Sequence, residues 1–255
     1  MLHKVITGFA VVFVWTILLY NHAAGDTTKH SPSIQDFDKD VREARLEMRD
    51  YCSLAQALMK PIERDQTTKD KALQNLRNCR RKWAAVCSRY SADPPVGYSS
   101  DSRFGARLAD IAEAMEEMEY HLIHDRPGRS FQACSHACGL FVAMHEENNL
   151  VYALDRIFHL RRVVKTVVSA GAIGGATTIG DLLPELMHQR DRVLAGPCPW
   201  PGDLDRCVKY RASVKLLSGV IDDLALYAAG GDTEGASKVL KGMLDIVNRA
   251  YGDAL

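Results

Sequence analysis

The chain has 255 residues, of which 47% are hydrophobic and 25% are charged, a composition typical of a globular protein with a buried core. Lysine plus arginine equals aspartate plus glutamate at 32 each, so the formal net charge is zero. This balance gives no overall field that would attract a nucleic acid or an anionic membrane surface, and we expect no nucleic-acid partner. The length allows one large domain or two small ones.

Residues 1–25 have the pattern of a secretory signal peptide. A lysine precedes an apolar run over residues 5–20, and small residues follow, so we expect cleavage after Ala24 or Gly25. The alternative is an uncleaved anchor that contacts the membrane through residues 5–20, although this run is short for a membrane span. In either case we expect the rest of the protein to be secreted, in an extracellular or periplasmic compartment.

Beyond a polar tail at residues 26–38, which we expect to be flexible, the pattern is helical throughout. Apolar residues recur at i, i+3, i+4 and i+7 between clusters of Gly, Pro and Asp, and no stretch alternates like a strand. The sequence therefore predicts an all-α protein. About eight helices are expected, at residues 39–62, 69–90, 103–124, 129–146, 150–169, 181–195, 205–228 and 233–251.

The second half of the chain resembles the first half. Residues 67–76 align with 177–186 through two threonines and two leucines, and residues 104–147 align with 210–253 through coincident apolar positions and turns. This self-similarity predicts an internal duplication that gives two tandem units resembling four-helix bundles. A single continuous helical array is the alternative packing. The two helical units are expected at residues 39–147 and 148–255.

Seven cysteines in an exported chain are expected to form disulfides, and the odd number leaves one cysteine free or intermolecular. The best-supported bridge is Cys198–Cys207, which would close the turn-rich segment GPCPWPGDLDRC. A bridge of Cys79 with either Cys52 or Cys138 is a weaker expectation. The sequence alone does not fix the connectivity.

The stretch FQACSHACGLFVAMHEE concentrates residues that often bind metals. It lacks the Cys-x-x-Cys-His motif of covalent haem attachment. On a helix, His136 points away from Cys134 and Cys138, so one metal ion cannot collect all three. In the proposed duplication these two cysteines align with Leu240 and Leu244, which favours packing in the core.

A metal site built from two helices is the sharper alternative for these cysteines. If the preceding helix folds back at the following turn, His121 comes near Cys134 and Glu117 comes near Cys138. These four side chains are suitable ligands for copper or zinc. No other cofactor is indicated by the sequence.

Residues 163–180 form a second segment of interest because they are apolar and rich in small side chains. Gly171 and Gly175 have the spacing that lets membrane helices approach each other closely, so the segment could insert into a membrane or contact a partner. A lysine interrupts the apolar run, however. We favour a loop between helices, followed by a helix that is capped near Thr178 or Asp181.

No residue set in the chain nominates a reaction, and a non-enzymatic protein is favoured although catalysis remains open. The leading hypothesis is a secreted helical protein that recognises a protein partner through helix faces or through loops 91–102 and 196–204. Tyr98 and Trp200 are the expected aromatic anchors in these loops. The alternatives are an exported helical bundle that carries a metal or a ligand, and a membrane-active protein that uses residues 163–180.

Overall fold

The structure, a computed structural model, describes residues 32–255, except for the side chains of residues 173–177. The predicted signal peptide and residues 26–31 of the predicted tail lie outside the described residues. Residues 32–255 contain helices and no strand, which confirms the all-α prediction. The helices are α1 (Ile34–Ala57), α2 (Gln66–Tyr90), α3 (Phe104–Ile123), α4 (Pro127–Glu147), α5 (Ala153–Leu194), α6 (Leu204–Ala229) and α7 (Thr233–Ala254), with single 3-10 turns at Pro61–Glu63 and Val96–Tyr98.

Helix α1 begins at Ile34, so the last five residues of the predicted flexible tail are helical. Ser33 caps this helix, because its Oγ accepts a hydrogen bond from the backbone N–H of Asp36 at 3.1 Å. Phe37 anchors the first turn because its side chain is fully buried. The same kind of cap, from an aspartate, begins three other helices. These aspartates are Asp65 for α2, Asp203 for α6 and Asp232 for α7.

The first four helices close into a bundle, in which each helix packs against the next along the chain and α4 packs against α1. A buried polar group ties three of them together. The hydroxyls of Tyr51 and Ser130 both donate to the carbonyl oxygen of Met118, at 3.0 and 2.9 Å. A disulfide between Cys52 and Cys134 joins α1 to α4 at the same face.

Helix α5 has a helical backbone from Ala153 to Leu194, but its two ends lie side by side. Arg156 donates from Nη1 to the carbonyl oxygen of Arg192 at 2.7 Å, across 36 positions. A straight helix would separate these residues by about 54 Å. A Cβ atom on Gly171 would lie 3.2 Å from Cδ1 of Ile179, so the chain reverses between these two residues. We call residues 153–171 the first arm and residues 179–194 the second arm.

The two arms correspond to the helices expected at residues 150–169 and 181–195. The expectation of a loop between them, with a cap near Thr178 or Asp181, is wrong, because the backbone is helical at both residues. The chain is closely packed around Gly171 at the reversal. In addition to its contact with Ile179, a Cβ atom on Gly171 would lie 2.4 Å from Cδ1 of Leu240. A side chain at this glycine would therefore collide with both neighbours.

The arms of α5 form a second bundle with α6 and α7. Arg161 of the first arm donates to Oδ1 of Asn248 in α7 at 2.6 Å, and Arg190 of the second arm forms an ion pair with Asp222 in α6. Helices α6 and α7 pack against each other across a turn in which Gly231 has a φ of 70°. Each half thus contains four helical segments in chain order. The internal duplication is not confirmed by this arrangement and stays a prediction.

Candidate functional site

A cavity of about 980 Å³ lies between the two halves, where α1 and α4 face both arms of α5 and the end of α7. Its volume is at the upper end of the range for small-molecule sites, which is about 300–1,000 Å³. Much of the wall is apolar. The apolar lining residues include Met48, Phe131, Phe158, Val163, Leu182 and Leu255.

The charges around the cavity are strongly unequal. Five lining residues have basic side chains, namely Arg45, Arg49, Arg161, Arg162 and Lys165. Glu185 is the one acidic side chain that the lining includes, and its Oε1 already accepts a hydrogen bond from Gln189 at 2.8 Å. Arg49 is paired with the neighbouring Asp50. In the part of the chain that the structure describes, the other four cations have no carboxylate within 4.0 Å. The cavity is therefore suited to an anion.

Arg45 is the deepest of these cations, with 4% of its surface exposed. Its Nη2 lies 3.4 Å from Oη of Tyr251, its guanidinium stacks 4.8 Å from the ring of Phe141, and its Nε has no hydrogen-bond partner among the described residues. Burial alone would lower the pKa of this guanidinium, but interactions with Tyr251, Asp155 and Cys138 outweigh burial and raise it. Arg45 therefore stays charged, in a setting where an incompletely paired charge costs several kcal/mol.

The local sequence explains how these cations reach the interior. Arg45 lies on the buried stripe of α1, between Val41 and Met48. Arg161 and Lys165 are four residues apart on the first arm, so they share one helix face. The ammonium of Lys165 lies 5.2 Å from the ring of Phe131. Burial, together with the nearby charge of Arg161, lowers the pKa of Lys165 to about 8.

The cysteines are arranged differently from the sequence expectation, apart from one pair. Cys198 and Cys207 are bonded, with Cα atoms 5.8 Å apart, so the structure brings together the pair that the sequence favoured. Cys52 is bonded to Cys134 rather than to Cys79. The expected bridges of Cys79 are wrong because this residue of α2 points toward α3, where its Sγ lies 3.8 Å from the sulfur of Met115.

The four predicted metal ligands do not form a site. Cys134 is bonded to Cys52 and is therefore not available as a thiolate, and Glu117 is exposed on α3. His121 has a buried Nδ1 without a partner among the described residues. Across residues 32–255, no three His, Cys, Asp or Glu side chains are grouped to hold a metal ion. The predicted copper or zinc site is therefore wrong.

The two aromatic anchors expected in the loops are engaged within the chain. Tyr98 is fully buried, with its ring 5.3 Å from Phe37 and 4.9 Å from Phe104, so its prediction as an exposed anchor is wrong. The short helical turn at Val96–Tyr98 directs this ring into the core. Loop 91–102 therefore supplies core packing rather than an exposed aromatic side chain.

Trp200 in loop 196–204 is only partly buried, but its polar atom and both ring faces are occupied. Its Nε1 donates to the carbonyl oxygen of Asp253 at 2.9 Å. The guanidinium carbons of Arg42 and Arg206 lie 3.9 and 4.0 Å from the ring centroid, a geometry that requires one on each face. The tryptophan thus closes the end of the bundle by joining this loop to α1, α6 and α7.

Three apolar residues of the segment 163–180 point into the protein. Val164, Val167 and Ile179 are all buried in the core. Within residues 32–255, none of the helices combines the length and the apolar character needed to cross a bilayer. Packing between the arms and their neighbours therefore accounts for the apolar character of these three residues.

Sequence reasoning missed the cavity because its cations come from distant parts of the chain. One signal was available, since an arginine interrupts the apolar stripe of the first helix at Arg45. Comparisons with protein-family models, with curated proteins and with solved structures find no match to this chain. The function is therefore argued from the chemistry of the cavity.

Proposed function

We propose that this is a secreted, non-catalytic binding protein whose cavity takes a small amphipathic anion. The observation that carries the proposal is the buried guanidinium of Arg45, in the wall of a cavity that is lined by five basic side chains and one acidic side chain. This corresponds to the ligand-carrying alternative from the sequence, without the metal. The signal-like N-terminus and the two disulfides support export, since disulfides persist in oxidising compartments.

The anionic headgroup of such a ligand would lie against Arg45, and its apolar body would lie against side chains such as Phe131 and Phe158. A guanidinium binds a carboxylate through two parallel hydrogen bonds. Burial of the apolar body contributes about 25 cal/mol for each Å² removed from water. Both parts of the cavity would therefore contribute to affinity.

Binding of dodecanoate by the mature, oxidised protein tests this proposal by calorimetry. We expect dodecanoate to bind at least about tenfold more tightly than dodecanol, which has the same chain without the charge, because a charge pair adds at least about 1.4 kcal/mol. Arg45→Met should remove this preference, since methionine fills the space without the charge. Arg103→Met is the matched control, because Arg103 is exposed and does not line the cavity.

Thermal unfolding of each variant establishes that loss of binding is not loss of fold, and Arg161→Met provides a second test on a different helix. Equal affinity for dodecanoate and dodecanol, or unchanged dodecanoate affinity in both cavity variants, would overturn the proposal. Binding of dodecanol alone would indicate an apolar ligand instead.

A second candidate function, binding of a protein partner through a helix face, is favoured by the outer surface of α6. Val208 and Leu216 are 59% and 47% exposed, although both are large and apolar. The N-terminal half of this helix is basic and its C-terminal half carries Asp222 and Asp223. These charges are complementary for a second copy in antiparallel orientation. A dimer in sedimentation that Val208→Glu dissociates would support this function, and a monomer at all concentrations would exclude it.

A further inference from the structure

The three free cysteines of the chain occupy very different surroundings. Cys79 is buried between α2 and α3, and Cys87 is half-buried. Cys138 is also largely buried, at 9% exposure, but it alone of the three lines the cavity. It lies one helical turn after Cys134, whose bond to Cys52 forms part of the same wall. A small molecule in the cavity would therefore meet one free sulfur.

The surroundings of Cys138 are predominantly positive. Arg45 from α1 and Lys165 from the first arm are both close enough to interact electrostatically with its sulfur. Tyr251 from α7 is a further neighbour, and Glu185 from the second arm is the acidic group in the same lining. Cations near a sulfur concentrate anionic reagents beside it.

The other two thiols are less suited to reaction. Burial raises the pKa of Cys79 to about 12, and burial also raises the pKa of Cys87. Neither residue lines the cavity. Cys79 and Cys87 are therefore internal controls for Cys138, because they carry the same thiol group in different surroundings.

We propose that Cys138 is a modification site that exchanges with small disulfides bearing carboxylates, and that the adduct occupies the cavity. In this step the Cys138 thiolate attacks one sulfur of the small disulfide. That S–S bond breaks, a Cys138–sulfur bond forms, and the other half leaves as a thiolate, so one disulfide is consumed and one is made. The small disulfide is itself the oxidant. Such disulfides belong to the oxidising compartment to which the chain is proposed to be exported.

The test compares three disulfides on the native, non-reduced protein, with intact mass and peptide mapping as readouts. 5,5′-dithiobis(2-nitrobenzoate) is dianionic, 4,4′-dithiodipyridine is neutral, and cystamine is dicationic at pH 7. Rates are normalised to those of the uncharged thiol 2-mercaptoethanol, which removes the intrinsic reactivity of each reagent. We expect one adduct from the dianion, on Cys138, with a normalised rate at least about tenfold above that of cystamine, because the lining cations steer anions.

The variants separate recruitment by charge from simple exposure. Cys138→Ser should abolish the adduct, whereas Cys79→Ser and Cys87→Ser should keep it. Lys165→Met and Arg45→Met should each reduce the preference for the dianion severalfold. The inference is overturned by an adduct on Cys79 or Cys87, by a normalised preference equal to one, by reaction only in denaturant, or by exchange that yields a Cys52–Cys138 bond without an adduct.

This inference concerns the cavity of the proposed function but does not depend on dodecanoate binding. Dodecanoate should slow labelling of Cys138 if both occupy the cavity. Selective labelling without dodecanoate binding would leave the modification site in place and remove the carrier function. Dodecanoate binding without labelling of Cys138 would support the carrier function and exclude the modification site.

Discussion

Asp38 accepts a hydrogen bond from Oη of Tyr152 at 2.9 Å, across 114 positions in the chain. The bond joins the first turns of α1 to the residue that precedes α5, so it links the two halves. The ring of Tyr152 also stacks 4.2 Å from that of His145, whose Nδ1 lies 2.7 Å from Oδ2 of Asp155. A buried polar network thus accompanies the apolar contact between the halves.

Removing the donor of this bond should destabilise the protein. Tyr152→Phe leaves the partly buried Asp38 carboxylate without its hydrogen bond, and we expect the free energy of unfolding to fall by about 1–3 kcal/mol. Denaturant titration at pH 7 measures this change. An unchanged midpoint would show that water satisfies Asp38 equally well.

Removing the charge of Asp38 should have a pH-dependent effect. Burial raises the pKa of this carboxyl despite the opposing effects of the Tyr152 hydrogen bond and nearby positive charges. A raised pKa in the folded state means that protonated Asp38 adds stability below the unfolded value of 3.8, and that this stability is lost as the pH rises through the folded pKa. Asp38→Asn keeps an acceptor for Tyr152 without the charge. Its stability relative to the parent protein should therefore increase from pH 4 to pH 7, and a constant difference would contradict this.

The reversal inside α5 can be tested by a distance measurement. Val151 and Leu194 are 63% and 50% exposed, so cysteines for spin labels can replace them, in a background where Cys79, Cys87 and Cys138 are serine. A straight helix over this span would separate the labels by about 65 Å. Because Arg156 contacts Arg192, we expect a distance below about 25 Å instead. A single long distance would mean that the two arms do not pack against each other within one chain.

The two disulfides should differ in their contribution to stability. The Cys52–Cys134 bond closes a loop of 82 positions and the Cys198–Cys207 bond closes one of 9. Loop-closure entropy assigns them about 4–5 and about 2–3 kcal/mol. Paired serine substitutions should therefore lower the unfolding midpoint more for the first bond. The reverse order would indicate that unfolded-state entropy is not the main contribution.

Lys165→Met should raise stability at neutral pH while it weakens binding of anions. The folded-state pKa of Lys165 is about 8, below the ordinary value of 10.5, so the cost of this lysine to stability grows as the pH falls from about 10.5 and is complete below about 8. Methionine removes this cost, and the gain in melting temperature should be larger at pH 6 than at pH 9.5. Lys241→Met is the exposed control, with no such dependence expected. A gain that does not depend on pH would show that packing, rather than charge, is responsible.

The features that the sequence predicts correctly depend on local patterns. Helical periodicity gives the helices. Cys198 and Cys207 are paired across a segment whose prolines and glycines force the chain to turn. In each case the interacting residues are close in the chain, so few arrangements compete.

The features that the sequence did not predict depend on which helices become neighbours. Cys52 pairs with Cys134 because α4 returns to pack against α1, which helical periodicity does not determine. Tyr98 is surrounded by polar residues in the sequence, yet a short 3-10 turn directs its ring onto Phe37. The cavity is a further example, since its cations come from α1 and the first arm.

The position of Arg45 and Tyr251, 206 residues apart in the chain, has a consequence for the order of folding. The α1–α4 bundle and the α5–α7 bundle are built mostly from contacts between neighbouring segments, and such local contacts form quickly. The cavity wall is complete only after α7 has docked beside α1, a contact of long range in sequence. A bound anion would therefore stabilise the fully assembled chain over partly folded forms by mass action. Ligand binding would then favour the chain in which the last step of folding, the docking of α7 beside α1, is complete.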